Sequence, residues 1–222
     1  LVECDTGANR CGVISPSAAL KLAKVISSNN NLIFGGLMTY PPISEPEQVN
    51  SFLAEAKDLI EKNGIKVETI SIGGSPDMWK VKKIPIANEY RIGTYIFNDR
   101  SLLHRGVCKE RDCALTVLAT VVSTPTDYRA IVDAGSKVLT SDLFGLEDYG
   151  RVLSKPHLKI CQLTEEHGTI ISDNPTGLKI GQQLKIIPNH ACVVTNMLDS
   201  VIFVQNEMPI KHQKVIARGK VW

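Results

Sequence analysis

The sequence predicts an α/β chain in two parts: four strand-then-helix units, followed by a β-rich C-terminal domain. Three observations predict it. Over the first hundred residues, short apolar runs alternate with apolar residues at helical spacing. Glycine, serine and arginine gather where the apolar runs end. Beyond about Cys108 the helical pattern gives way to short β-type runs separated by Gly, Pro, Asn and Asp. Strand-helix units in series imply parallel strands joined by right-handed crossovers, either as an open sheet or as part of a (β/α)8 barrel. The polar stretch 105–112 is the expected boundary, dividing the chain into residues 1–108 and 109–222.

Residues 1–4 read as a buried strand with no initiator Met or capping turn before it, so the natural protein is expected to begin upstream. Ser15 and Pro16 offer an N-cap and a first-turn proline to a helix reaching about residue 26, ended by the polar segment 27–31. Residues 32–38 form the second strand. From 45 to 62, Val49, Phe52, Leu53, Ala56, Leu59 and Ile60 share one helical face, and Asn63-Gly64 closes the helix. Residues 65–70 form the third strand, ending at the Gly73-Gly74 turn. A weaker fourth unit has a turn or strand near 88–91 and a short helix after 92–94. In the second part, β-type runs are expected at 113–123, 128–134, 158–164, 168–171, 182–187, 191–197, 200–205 and 215–222.

Composition narrows the function classes. Of 222 residues, 43% are hydrophobic and 22% charged, which excludes a disordered tail. A net charge of +2, with no Lys/Arg cluster interleaved with aromatics, argues against nucleic acid. The longest apolar stretch, 114–122, is too short to cross a bilayer. Six cysteines without a CxxC pair read as reduced thiols of a cytoplasmic protein.

Four segments could carry chemistry. Residues 5–12 are a glycine-punctuated turn at a strand exit, where Arg10 could bind a phenolate or carboxylate. At Ser71-Ile72-Gly73-Gly74-Ser75, two residues without Cβ atoms let backbone N–H groups and hydroxyls face an anion, with phosphate as the natural guest. Taken alone, such a segment is more often an ordinary strand-to-helix turn. Arg91, Gly93 and Thr94 form a similar turn one unit later, adjacent to the first if the sheet is a barrel. If residues 188–192 are strand, His190 and Cys192 project to one face, and imidazole plus thiolate suits a thiophilic divalent ion. Two ligands cannot close a structural site, but they suit a catalytic ion whose other positions go to water and substrate. A lone HxC is more often a satisfied histidine beside a buried cysteine. The knot at 165–168 reads as a solvated loop.

Taken together, DTGANRCG at 5–12, GLMTY at 36–40, GGSP at 73–76, EYRIGTY at 89–95, DAGSK at 133–137, EHG at 166–168, PNHAC at 188–192 and ARGK at 217–220 resemble the D-threonine aldolase and D-serine dehydratase family. These are pyridoxal-phosphate enzymes sharing the barrel of alanine racemase. The resemblance implies the second half of an alanine racemase-like (β/α)8 barrel followed by the β-rich domain. It implies that Arg10 contacts the cofactor's phenolic oxygen, and that Ser71, Gly73, Gly74, Ser75, Gly93 and Thr94 surround its phosphate. Tyr40 would flank the ring, and Arg91 would face the pyridine nitrogen and keep it unprotonated, which makes the ring a poorer electron sink. His190 and Cys192 match the metal pair that separates the aldolases and dehydratases from plain racemases. The family's Schiff-base lysine lies upstream of residue 1, so the catalytic lysine is not in this chain, and Lys137 does not substitute for it.

These implications point to a lyase for β-hydroxy D-amino acids, dependent on pyridoxal phosphate and a divalent metal, with zinc ahead of manganese or magnesium because of the thiolate. Cα–Cβ cleavage of the D-threonine aldolase type ranks first, β-elimination of the D-serine dehydratase type second, and racemization or a non-catalytic cofactor-binding role third. The substrate is a small D-amino acid and the implied assembly a homodimer.

Overall fold

The computed structural model describes residues 1–220 of the chain, which divides into two compact units at Tyr95 and Ile96. The division falls before the polar stretch the sequence suggested. Residues 96–108 are tied to the second unit: the Ser101 N–H donates to the Asn189 carbonyl, and the Ala191 N–H to the Asp99 carboxylate.

In the first unit, strands β1 (Val2–Glu3), β2 (Gly36–Thr39), β3 (Thr69–Gly73) and β4 (Glu89–Arg91) form a parallel sheet in chain order, with helices α1 (Pro16–Ser27) and α2 (Pro46–Lys62) as crossovers. Ser15 caps α1 by accepting the Ala18 N–H through its hydroxyl, and Pro16 occupies the first turn. Ala19 and Ala23 are its buried face, while α2 buries Val49, Leu53, Ala56 and Ile60 at helical spacing. With Leu37, Ile70 and Ile72 these form one core. Most residues of β2 and β3 are buried, as a parallel sheet with covered faces requires.

The second and third strands begin about four residues later than expected. Leu32 and Ile33 are exposed, and pairing starts at Gly36, whose φ is +129° and where a Cβ would lie 2.0 Å from the Thr69 carbonyl oxygen. Only glycine allows the two strands to meet there. After β4 a 3-10 turn, Thr94–Ile96, stands where a helix was expected.

The second unit opens with helix α3 (Arg100–His104), capped by Asp99. Strands β5 (Val117–Thr126), β6 (Arg129–Val132), β7 (Gly150–Val152), β8 (Lys159–Leu163), β9 (Gly168–Ile171) and β10 (Gln183–Pro188) close an antiparallel barrel in the order β10-β5-β6-β9-β8-β7. Its core includes Val121, Val132, Ile160, Ile170 and Ile186. Helix α4 (Ser136–Leu139) lies between β6 and β7, and helix α5 (Ala191–Met197) follows β10. A separate hairpin, β11 (Ser200–Gln205) and β12 (Met208–Lys214), comes last.

Three expectations change here. Residues 191–197 are helix, not strand: Ala191 and Val194 are buried at i,i+3 spacing, and Asp99, 92 positions away, accepts a first-turn N–H. Strands β7 and β12 carry too little apolar alternation to stand out in the sequence. Of the run expected at 215–222, residues 215–220 contain turn rather than strand, and 221–222 lie outside the described residues.

Candidate functional site

The carboxyl ends of the four parallel strands carry a continuous polar layer, the edge where ligands bind in such sheets. Thr39 at the end of β2 donates its hydroxyl to the Cys4 carbonyl at 2.7 Å and pairs with the Thr6 hydroxyl at 3.0 Å. Ser71 on β3 bonds to the Glu89 carboxylate and accepts from the Arg91 guanidinium, both on β4. Arg91 also donates to the Thr39 carbonyl at 3.1 Å. Its side chain is thus fixed across three strands, with Ser71 as the hinge between it and Glu89.

The turn after β3 is shaped by its glycines. A Cβ at Gly73 would sit 3.1 Å from the Arg91 guanidinium, and Gly74 has φ +109° with the Tyr40 ring against it. The Gly74 N–H donates to the Arg91 carbonyl at 3.0 Å, and the Tyr90 hydroxyl donates to the Gly74 carbonyl at 2.9 Å. Ser75 follows, 4% exposed, and its buried hydroxyl has no hydrogen-bond partner. A buried hydroxyl is costly when unpaired, so this one has hydrogen-bonding capacity left for a further partner. It lies beside a shallow cleft lined by Tyr40, Pro41, Ile43, Gly73, Gly74, Pro76 and Asp77.

Arg10 comes from the loop after β1. Asp5 shapes that loop by accepting the Gly7 N–H at 2.9 Å and the Asn9 N–H at 3.1 Å, and these bonds hold its carboxyl below the usual range. The Arg10 guanidinium lies over the Tyr40 ring at 4.4 Å and 3.8 Å from Glu3. Arg10, Tyr40, Gly73, Gly74 and Ser75 therefore belong to one neighbourhood, with Ser71 and Arg91 bonded behind it. Gly93 faces open space, and Thr94 begins the 3-10 turn at the end of the unit.

In the second unit His190 is the N-cap of α5, and Cys192 lies in its first turn. The strand geometry expected to align them is absent, yet the Cys192 side chain interacts with the imidazole. That interaction, reinforced by Asp142 and opposed by burial, pushes the imidazole pKa up to about 9. Cys192 is exposed, not a buried neighbour of a satisfied histidine. Among the described residues no three His, Cys, Asp or Glu side chains converge as metal ligands. The donor set here is one imidazole and one thiol, which fits only an ion that keeps further positions for water or substrate.

The DAGSK and EHG segments pack against each other. A Cβ at Gly135 would lie 2.3 Å from the Thr164 carbonyl oxygen, and Lys137 forms ion pairs with Glu165 and Glu166. Those pairs raise the Lys137 pKa, an environment that keeps the amine charged rather than nucleophilic. The sequence did not single out Asp142 or Phe144, which gather at His190. Nothing in local spacing marks Asp142, 48 positions from the ring it bonds.

Comparison with known proteins shows what the chain is similar to. Residues 1–101 match the family described as alanine racemase, N-terminal domain, and residues 114–204 match the putative serine dehydratase domain. The 3-hydroxy-D-aspartate aldolase of Paracoccus denitrificans is 30% identical over 99% of this chain and 60% of its own length. The D-serine dehydratase of Dictyostelium discoideum is 33% identical over 66% of this chain and 42% of its own. The crystal structure of D-threonine aldolase from Filomicrobium marinum superposes with a TM-score of 0.83 at 27% identity, covering 100% of this chain and 64% of that one. The chain is thus similar, in sequence and in fold, to alanine racemase-like proteins that include D-threonine aldolase and D-serine dehydratase. It spans about 60% of the length of the aldolase relative.

Proposed function

We propose that the complete protein is a lyase acting on β-hydroxy D-amino acids, dependent on pyridoxal phosphate and a divalent metal, and that it cleaves Cα–Cβ to give glycine and an aldehyde. The observation that carries this reading is the placing together of His190 and Cys192 at the start of α5, a donor set a racemase does not need. When bound, the cofactor supplies an electron sink at Cα, and the ion supplies Lewis acidity at the β-oxygen. The open valence of Ser75 and the backbone of Gly73 and Gly74 suit the phosphate, with Gly93 and Thr94 completing its surroundings. Arg10 would hold the phenolic oxygen, and Tyr40, already stacked under that guanidinium, would flank the ring. Ser71 keeps Arg91 in place to face the ring nitrogen. His190 and Cys192 would hold the ion.

One observation favours a second reading. The Cys192 thiolate is a soft ligand that prefers zinc, and the segment containing it, 114–204, matches the serine dehydratase domain. β-Elimination of D-serine to a 2-oxo acid and ammonia is that alternative.

No described helix is long and apolar enough to cross a membrane. Six cysteines, none joined in a disulfide among the described residues, support a reducing cytoplasm. The β11–β12 ribbon, whose Ile202, Val204, Met208 and Ile210 are exposed, supports a homodimer. The test is incubation of the full-length protein, with cofactor and zinc or manganese, with D-threonine and D-serine. Glycine plus acetaldehyde is expected from D-threonine. A 2-oxo acid with ammonia selects the dehydratase; L-amino acid formation, or no turnover at all, overturns the lyase.

A further inference from the structure

We propose that Asp142 is a positioning residue, which holds the His190 ring by Nδ1 and so presents Nε2 as its metal-binding nitrogen, on a loop built for that purpose. The inference rests on the reading that His190 and Cys192 ligate an ion. It concerns what stands behind them.

Three observations converge on residues 140–148. The Asp142 carboxylate lies 2.5 Å from His190 Nδ1. The Phe144 ring meets the imidazole edge-on, with centroids 4.8 Å apart and planes at 69°. The loop carries two non-glycine residues in the left-handed region, Thr140 at φ +69° and Phe144 at φ +50°, followed by Gly145 at +84°. Such conformations persist only where the surroundings over-determine them.

Those surroundings are present. Asn189, fully buried and adjacent to His190, donates from one amide nitrogen to the Asp142 carbonyl at 3.0 Å and the Asp148 carbonyl at 2.7 Å, and so clips both ends of the loop. Arg100 pairs with the Asp148 carboxylate and donates to the Gly150 carbonyl at 2.8 Å. The Thr140 hydroxyl accepts the Asp142 N–H at 3.2 Å.

The chemistry follows from the imidazole's two nitrogens. A carboxylate on Nδ1 selects the tautomer with its proton there, fixes the plane of the ring and raises the basicity of Nε2. Two protein ligands constrain an ion weakly, so a fixed ring has more effect here than in a four-ligand site. The edge contact from Phe144 limits rotation about the remaining side-chain torsion. Asp142 in this role touches neither substrate nor cofactor.

The test uses the full-length protein loaded with cobalt(II), whose visible spectrum reports its ligands, with affinity read by competition against a chromophoric chelator. Wild type, His190→Ala, Asp142→Asn and Asp142→Ala are compared, with thermal unfolding as a check on folding. Asp142→Ala is expected to bind cobalt about 10- to 100-fold more weakly at unchanged Tm, keeping the thiolate-to-cobalt band at saturation. Asp142→Asn, whose amide oxygen still accepts from Nδ1, is expected to fall between it and wild type. Wild-type affinity in Asp142→Ala, with His190→Ala unable to bind, overturns the positioning role and leaves the lyase reading standing. Should Asp142→Ala fail to fold, wild-type affinity in Asp142→Asn overturns it equally. No cobalt bound by the wild type overturns both readings.

Discussion

Ser75 makes a residue-scale argument in which one hydroxyl has opposite effects on stability and on binding. Buried without a partner, it costs the ligand-free protein about 1 kcal/mol or more. Ser75→Ala should therefore raise the Tm of the ligand-free protein, by about 1 kcal/mol in unfolding free energy. If the hydroxyl is held open for the cofactor's phosphate, the same change should weaken pyridoxal phosphate binding about tenfold, since it removes a charge-assisted hydrogen bond. Calorimetry and a fluorescence titration check the two halves; a lowered ligand-free Tm would show that the hydroxyl has a structural partner after all. The turn containing Ser75 was legible in the sequence because adjacent glycines mark a backbone that must curl tightly after a strand. The way His190 and Cys192 meet was not. Their contact was expected from strand alternation and is made instead by an N-cap and a first-turn residue. The carboxylate behind them comes from a loop that no local pattern connects to them.

At the scale of elements, the parallel sheet depends on a few positions where the backbone leaves no room for a side chain. Gly36 and Gly64 both have positive φ, but only Gly36 has a neighbour against the position of its missing Cβ: the Thr69 carbonyl oxygen, 2.0 Å away. Gly64→Ala should cost about 1 kcal/mol, the conformational penalty alone. Gly36→Ala should cost about 3 kcal/mol or more, because β2 and β3 must separate to admit a methyl group. Urea midpoints of the two variants measure the difference, and equal costs would mean that the strand contact relaxes freely. The two crossover helices, α1 and α2, were well marked: Ser15-Pro16 and the spacing from Val49 to Ile60 state cap and face locally. Strand starts were less so, because Leu32 and Ile33 are as apolar as the pairing residues after them, yet remain exposed. Helix α5 was read as strand since its β-branched residues suit either state, and the group that settles the matter, Asp99, is distant in sequence.

For the whole molecule, the two units have separate hydrophobic clusters. One is centred on Leu37, Leu53, Ile60 and Ile72 under the parallel sheet, the other on Val121, Ile160, Ile170 and Ile186 inside the closed barrel. Among the described residues, none belongs to both. Cooperativity follows shared burial, so each unit should unfold as its own transition. Leu53 and Ile170 are both fully buried, one in each cluster. Truncation of either to alanine should cost about 2–5 kcal/mol through lost transfer energy and the cavity left behind. The expected calorimetric result for this chain is two transitions, with Leu53→Ala lowering one and Ile170→Ala lowering the other. Because the barrel is closed and antiparallel, whereas the parallel sheet ends at β1 and β4, the barrel's transition should be the one at higher temperature. A single transition displaced equally by both variants would show instead that the units share their stability, and that the boundary at Tyr95 and Ile96 divides geometry but not energy.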